Sequence, residues 1–80
     1  MKRNYNNDLK IFHQELGKIE YDFPEFLNKG DLEKRCVIEN LNINYNEADK
    51  TGYGKLSVEG TILPPEINNK IREVWNRYMQ

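Results

Sequence analysis

Between residues 40 and 46 apolar and polar side chains alternate. Leu41, Ile43 and Tyr45 fall on one side and Asn40, Asn42, Asn44 and Asn46 on the other. Further on, Leu56, Val58 and Ile62 alternate in the same way with Lys55, Ser57, Glu59 and Thr61. A period of two places one side against a core and the other in water. Asp49, Gly52 and Gly54, between the two runs, are residue types that tolerate the positive φ angles of a chain reversal. The pattern therefore predicts an antiparallel hairpin over residues 35–63. Opposing Tyr45 with Leu56 and Ile43 with Val58 would bring Gly60 opposite Leu41. Ile38 has the wrong parity for that face, so either a bulge near Glu39 restores it or the apolar face begins only at Leu41.

The flanking segments follow a different period. Tyr5, Leu9, Phe12 and Leu16 recur at spacings of four, three and four, which is one stripe of a helix. A helix from about Asn6 to Leu16 is expected, capped by Asn6, Asn7 or Asp8. Gly17 is a natural terminator, and residues 18–23 read as a short strand with Ile19, Tyr21 and Phe23 on one face. In the competing reading the helical stripe runs on through Ile19 and Phe23 until Pro24 stops it. Residues 24–30, from Pro24 through Phe26 and Leu27 to Gly30, look like a single helical turn, and the charged residues 31–35 lead into the first strand. Pro64 and Pro65 end the second strand. Ile67, Ile71, Val74 and Tyr78 then share one narrow face of a helix running from Pro65 to Met79. The expected fold class is α+β: a small two-layer domain in which an antiparallel β-hairpin, three-stranded if residues 18–23 are extended, carries N- and C-terminal helices on one face.

Eighty residues are expected to form a single domain, 1–80, with no room for a deep cleft between domains. Twelve Lys plus Arg stand against 13 Asp plus Glu, a net charge of −1, so no global field holds the chain on a polyanion or an acidic membrane. Nucleic-acid binding would need a local patch and is not the expectation. The lone cysteine, Cys36, excludes an internal disulfide and suits a reducing compartment. No apolar run has the length of a signal-peptide core or a membrane span, and the expected location is cytoplasmic, away from membranes. The abundance of Asn, Lys, Ile and Tyr fits an AT-rich coding sequence and suggests a phage, a mobile element or an AT-rich microbe as the source.

Residues 49–59, from Asp49 through Gly54 and Ser57 to Glu59, resemble an EF-hand calcium loop: aspartate first, glycine sixth, an aliphatic residue eighth and serine ninth. The resemblance implies a calcium site there. The ligand set is degenerate. Gly60 stands at the twelfth position in place of a bidentate glutamate, Glu59 is one residue early, and Tyr53 and Thr51 occupy the fifth and third positions. A hard cation would find too few oxygens, so no metal and no cofactor is expected. His13 and Cys36, one of each type, cannot build a zinc site, and no nucleophilic triad is suggested by spacing. His13 reads as a helix-edge residue and Cys36 as an inert strand thiol, although Lys34 and Arg35 precede it. The hairpin tip offers a ligand-binding alternative in which Tyr45 and Tyr53 stack bases while Lys50 and Lys55 neutralise phosphates. Glu47, Asp49 and Glu59 oppose it.

With no catalytic constellation, enzyme activity is not expected. Trp75 and Met79 lie off the narrow stripe of the last helix, Arg72 is beside them, and Ile11 is off the stripe of the first. Trp, Met and Arg are enriched at interfaces. The leading expectation is thus a small non-enzymatic protein-binding module, an inhibitor, adaptor or host-directed factor. It would bind a protein partner or a second copy of itself through Trp75, Met79, Arg72 and Ile11. The alternative is a small-ligand or ion binder using residues 49–59 or the hairpin tip.

Overall fold

The first helix begins where a side chain can satisfy its free amides. Asn4 Oδ1 accepts from the Asn7 N–H at 3.1 Å, and α1 then runs Tyr5–Asp22, so the cap lies upstream of the three residues expected to supply it. The computed structural model describes residues 4–39, 52–60 and 62–80. In chain order α1 is followed by α2 (Asp31–Arg35), β1 (Cys36–Glu39), β2 (Lys55–Val58) and α3 (Pro65–Tyr78). The architecture is a small α+β arrangement, an antiparallel hairpin with N- and C-terminal helices that pack on each other.

No strand forms at residues 18–23, and α1 does not stop at Leu16. Glycine inside a helix is unfavourable by about 1 kcal/mol relative to alanine, whereas Ile19 adds a further buried side chain in line with Phe12 and Leu16, worth about 1.5–3 kcal/mol. The stripe therefore outweighs Gly17. Tyr21, assigned to the same strand face as Ile19, is instead exposed. The helix ends at Phe23, whose N–H donates to the Ile19 and Glu20 carbonyls, one residue before a proline that disfavours helical backbone ahead of it.

The expected turn after Pro24 is present, with the Phe26 and Leu27 N–H groups both donating to the Phe23 carbonyl at 3.1 Å. Only Leu27 of its two apolar residues is buried. Residues 31–35 are not a lead-in but a helix of their own. Gly30, at φ +88°, takes the left-handed conformation that turns the chain into α2, and Leu32 fills the core beneath it.

α2 hands the chain directly to β1, and this sets a register unlike the expected one. Cys36 pairs with Val58, Val37 with Ser57, Ile38 with Leu56 and Glu39 with Lys55. Leu56 thus faces Ile38 rather than Tyr45, Val58 faces Cys36 rather than Ile43, and the Glu59 N–H extends the ladder to the Arg35 carbonyl at 2.9 Å. Cys36, Ile38, Leu56 and Val58 all pack on the core, so the apolar face of the first strand already includes Cys36 and Ile38, and the pairing over residues 36–39 is regular. Residues 40–41, where a bulge would realign Leu41, lie outside the described residues. Leu41, Ile43 and Tyr45, with which the sequence pattern aligned β2, lie outside the described residues.

α3 starts at Pro65, as expected. Phe12, Leu16 and Ile19 of α1 meet Ile67, Ile71, Val74, Trp75 and Met79 across the helix pair, and Leu27, Leu32, Tyr53, Leu56 and Leu63 complete the core. The end of α3 is held by the chain entering β2, where the Tyr53 N–H donates to the Met79 carbonyl at 3.0 Å. A Cβ on Gly52 would lie 2.8 Å from that oxygen and 2.9 Å from Gln80 Cα, so only glycine admits this approach.

Candidate functional site

The residues expected to face a partner separate in the structure. Trp75 is only 4 % exposed and Met79 fully buried; the indole stands edge-on to Phe12 at 5.6 Å and 73°, a geometry aromatic pairs favour. The apolar surface of α3 is wider than the stripe of Ile67, Ile71, Val74 and Tyr78, because α1 packs on that helix and Trp75 and Met79 join the core as well. Arg72 is exposed, its Nη1 3.5 Å from the Leu56 carbonyl oxygen, and Ile11 is half-buried. With two of the four interior, they do not make one exposed surface.

The hairpin-tip set fares similarly. Tyr53 is fully buried, its hydroxyl donates to Asp8 Oδ2 at 2.6 Å and its ring meets Tyr5 edge-on at 5.1 Å, so it has no face to offer a base. Lys55 is exposed and paired across the ladder with Glu39, while Tyr45 and Lys50 lie outside the described residues. The likeness of residues 49–59 to a calcium loop stops at the backbone. Residues 55–58 form a strand and helical structure resumes only at Pro65, so no exit helix leaves the loop. Among the described residues no group of three or more His, Cys, Asp or Glu is arranged to hold a metal ion. His13 sits at the helix edge with Nδ1 3.4 Å from Glu33 Oε1.

Burial, reinforced by the Glu20 carboxylate and opposed by Arg72, raises the Cys36 thiol to about 11. Because the folded value lies above the unfolded one, this contribution to stability is complete below the unfolded pKa and is lost as pH rises through about 11. A disulfide reagent is therefore expected to react slowly with native protein at neutral pH and rapidly in urea. Equal rates in the two conditions would show that the thiol is not held protonated.

What the fold does build is an open groove of about 1140 Å³ between the second half of α1 and residues 24–33. His13, Gly17 and Tyr21, one turn apart on α1, form one wall, with Pro24, Leu27 and Lys29 across from them. Glu20, among the groove's lining residues, is only 7 % exposed and both of its carboxylate oxygens are engaged; Oε1 accepts from the Gly30 N–H at 3.0 Å and Oε2 from the Leu32 N–H at 2.7 Å. Gly30, as the N-cap of α2, has no side chain to cap with, and a carboxylate from α1 satisfies the free amides in its place. Asp31 Oδ2 accepts from the Asn28 N–H at 2.8 Å and tightens the same turn.

Two residues of this wall are poor local choices. A Cβ on Gly17 would meet nothing within 4 Å, so no packing among the described residues requires glycine in mid-helix. Asp22 closes α1, whose last turn carries no basic residue, where the helix dipole disfavours an anion. Gly17→Ala is accordingly expected to stabilise the fold by about 1 kcal/mol and Asp22→Lys by about 0.3–1 kcal/mol, each measured by urea denaturation. A loss of stability in either would mean that the residue has a structural role within the chain. The wall was missed in the sequence because Gly17 reads as a helix end; once α1 is continued to Pro24, the spacing of His13, Gly17 and Tyr21 puts them on one face.

Comparison of the chain with protein families, curated proteins and solved structures finds no match. Its function has to be read from its own surface.

Proposed function

We propose that this chain is a non-enzymatic protein-binding module, of the inhibitor, adaptor or host-directed kind, that engages its partner at the groove beside α1. The observation that carries the reading is Tyr21, 85 % exposed on the wall of that groove. Phe26, in the turn after Pro24 and outside the groove lining, is a second exposed aromatic at 54 %. A large exposed aromatic on a concave surface is a usual anchor of a protein interface, where tyrosine supplies contact area at small entropic cost. The core is complete without these two aromatics, since Phe12, Trp75 and Met79 fill the space between α1 and α3. The nucleotide or oligonucleotide alternative lacks a comparable observation, because Tyr53 is interior.

The test is site-specific photo-crosslinking in an extract of the source cell. A benzophenone amino acid placed at Tyr21 is expected to give one discrete adduct that excess unlabelled wild-type protein suppresses. An adduct of twice the chain mass would make the partner a second copy. The same probe at Asn69, exposed on α3, is expected to give none. No adduct from Tyr21, or the same adduct from both positions, would refute the proposal.

A further inference from the structure

We infer that the occupant of the groove is an amphipathic basic peptide segment of the partner protein, laying an apolar side chain over Gly17 and directing Lys or Arg toward Asp22 and Glu33. The inference rests on the protein-binding reading and adds the chemistry of the ligand. Three carboxylates, Glu20, Asp22 and Glu33, line the groove against one ammonium, Lys29, with His13 beside Glu33. This excess of anionic charge belongs to the groove rather than to the chain, whose net charge is only −1. Among the described residues neither Asp22 nor Glu20 forms an ion pair, and the Glu20 carboxylate is met by backbone amides alone. Field lines from charges in a concave, partly apolar site focus outward and favour a cationic ligand. The same sign repels the phosphates of a nucleic acid and the headgroups of an anionic membrane.

Gly17 and Asp22 point the same way by a separate route. Both are unfavourable within α1, neither is compensated by a contact among the described residues, and both line this groove. Residues that break local rules in this manner are expected where function requires them. A glycine in the wall lets a ligand backbone approach the helix closely, and an unpaired carboxylate one turn beyond awaits a cation. Exposed Tyr21, between them, offers its ring face to the same cation.

The experiment selects random dodecapeptides displayed on phage against the immobilised protein and measures the binding of enriched sequences by fluorescence anisotropy at low and high salt. Enriched peptides are expected to be net positive with an aliphatic or aromatic residue between the charges, and to weaken with salt. Asp22→Lys and Tyr21→Ala are each expected to weaken binding by about tenfold, and Gly17→Leu by more, because its side chain fills the space over the wall. Asp22→Lys is expected to raise the thermal midpoint, so its loss of binding cannot come from unfolding. Acidic or uncharged peptides that bind Asp22→Lys as tightly as wild type, but not Tyr21→Ala, would overturn the basic ligand and leave the protein-binding reading standing. Peptides that bind every variant equally, or no enrichment over a blank surface, would overturn both.

Discussion

Replacing Trp75 with alanine is expected to leave the protein largely unfolded at room temperature. The indole is buried between α1 and α3 and stacks edge-on against Phe12, and truncating a buried Phe or Trp to Ala costs about 3–5 kcal/mol. A chain of this size has total stability near the low end of about 5–15 kcal/mol, so one such cavity removes most of it. Circular dichroism in increasing urea reads the loss directly, through a transition shifted to the bottom of the range or absent. A variant that keeps its helix signal and its urea midpoint would place Trp75 outside the core.

Glu20→Ala has the second largest expected effect, about 2–4 kcal/mol, for a different reason. It removes two charge-assisted hydrogen bonds and leaves the Gly30 and Leu32 amides at the start of α2 without their acceptors. Bonds to a charged acceptor contribute about 1.5–3 kcal/mol each, less where water replaces the lost partner. Glu20→Gln keeps one acceptor oxygen and is expected to fall between alanine and wild type, which separates capping from packing of the side-chain methylenes. Equal urea midpoints for Glu20→Ala and wild type would mean that the carboxylate does not hold α2.

The helices were legible to different degrees, and the differences have physical causes. α3 could be read in full because Pro65 fixes its start and four apolar residues recur at helical spacing. α1 could be read only in its first half. Gly17 reads locally as a terminator, yet glycine's penalty is local and small, whereas the buried stripe through Ile19 gains from every turn it continues. α2 had no periodic signal within its five residues; its start depends on a carboxylate ten positions upstream of Gly30, a tertiary cap that no local pattern reveals. The hairpin was anticipated but its register was not. Alternation marks which residues share a face without fixing which strand neighbour they meet, and here α2 delivers the chain to the sheet at Cys36.

The site was the least legible part. Trp75 and Met79 read as surplus apolar residues because the buried face of α3 is wider than a single stripe predicts. Tyr53 looked like a stacking platform because nothing local couples it to Asp8, 45 positions away. The groove emerges only when α1 is continued past Gly17 and the turn at Pro24 folds back toward it. Tyr21 then becomes an exposed aromatic on a wall, and Asp22 an anion at the wrong end of a helix.

The central claim is that this groove, rather than the outer face of α3 or the hairpin, is the binding surface. Titrating nitrogen-15-labelled protein with the tightest selected peptide, and following every backbone amide, tests it most directly. The account predicts saturable shifts concentrated on residues 13–33, with Glu66, Asn69 and Glu73 on α3 and Lys55 on β2 unmoved. Shifts centred on α3 or β2, with Gly17, Tyr21 and Leu27 unchanged, would contradict it.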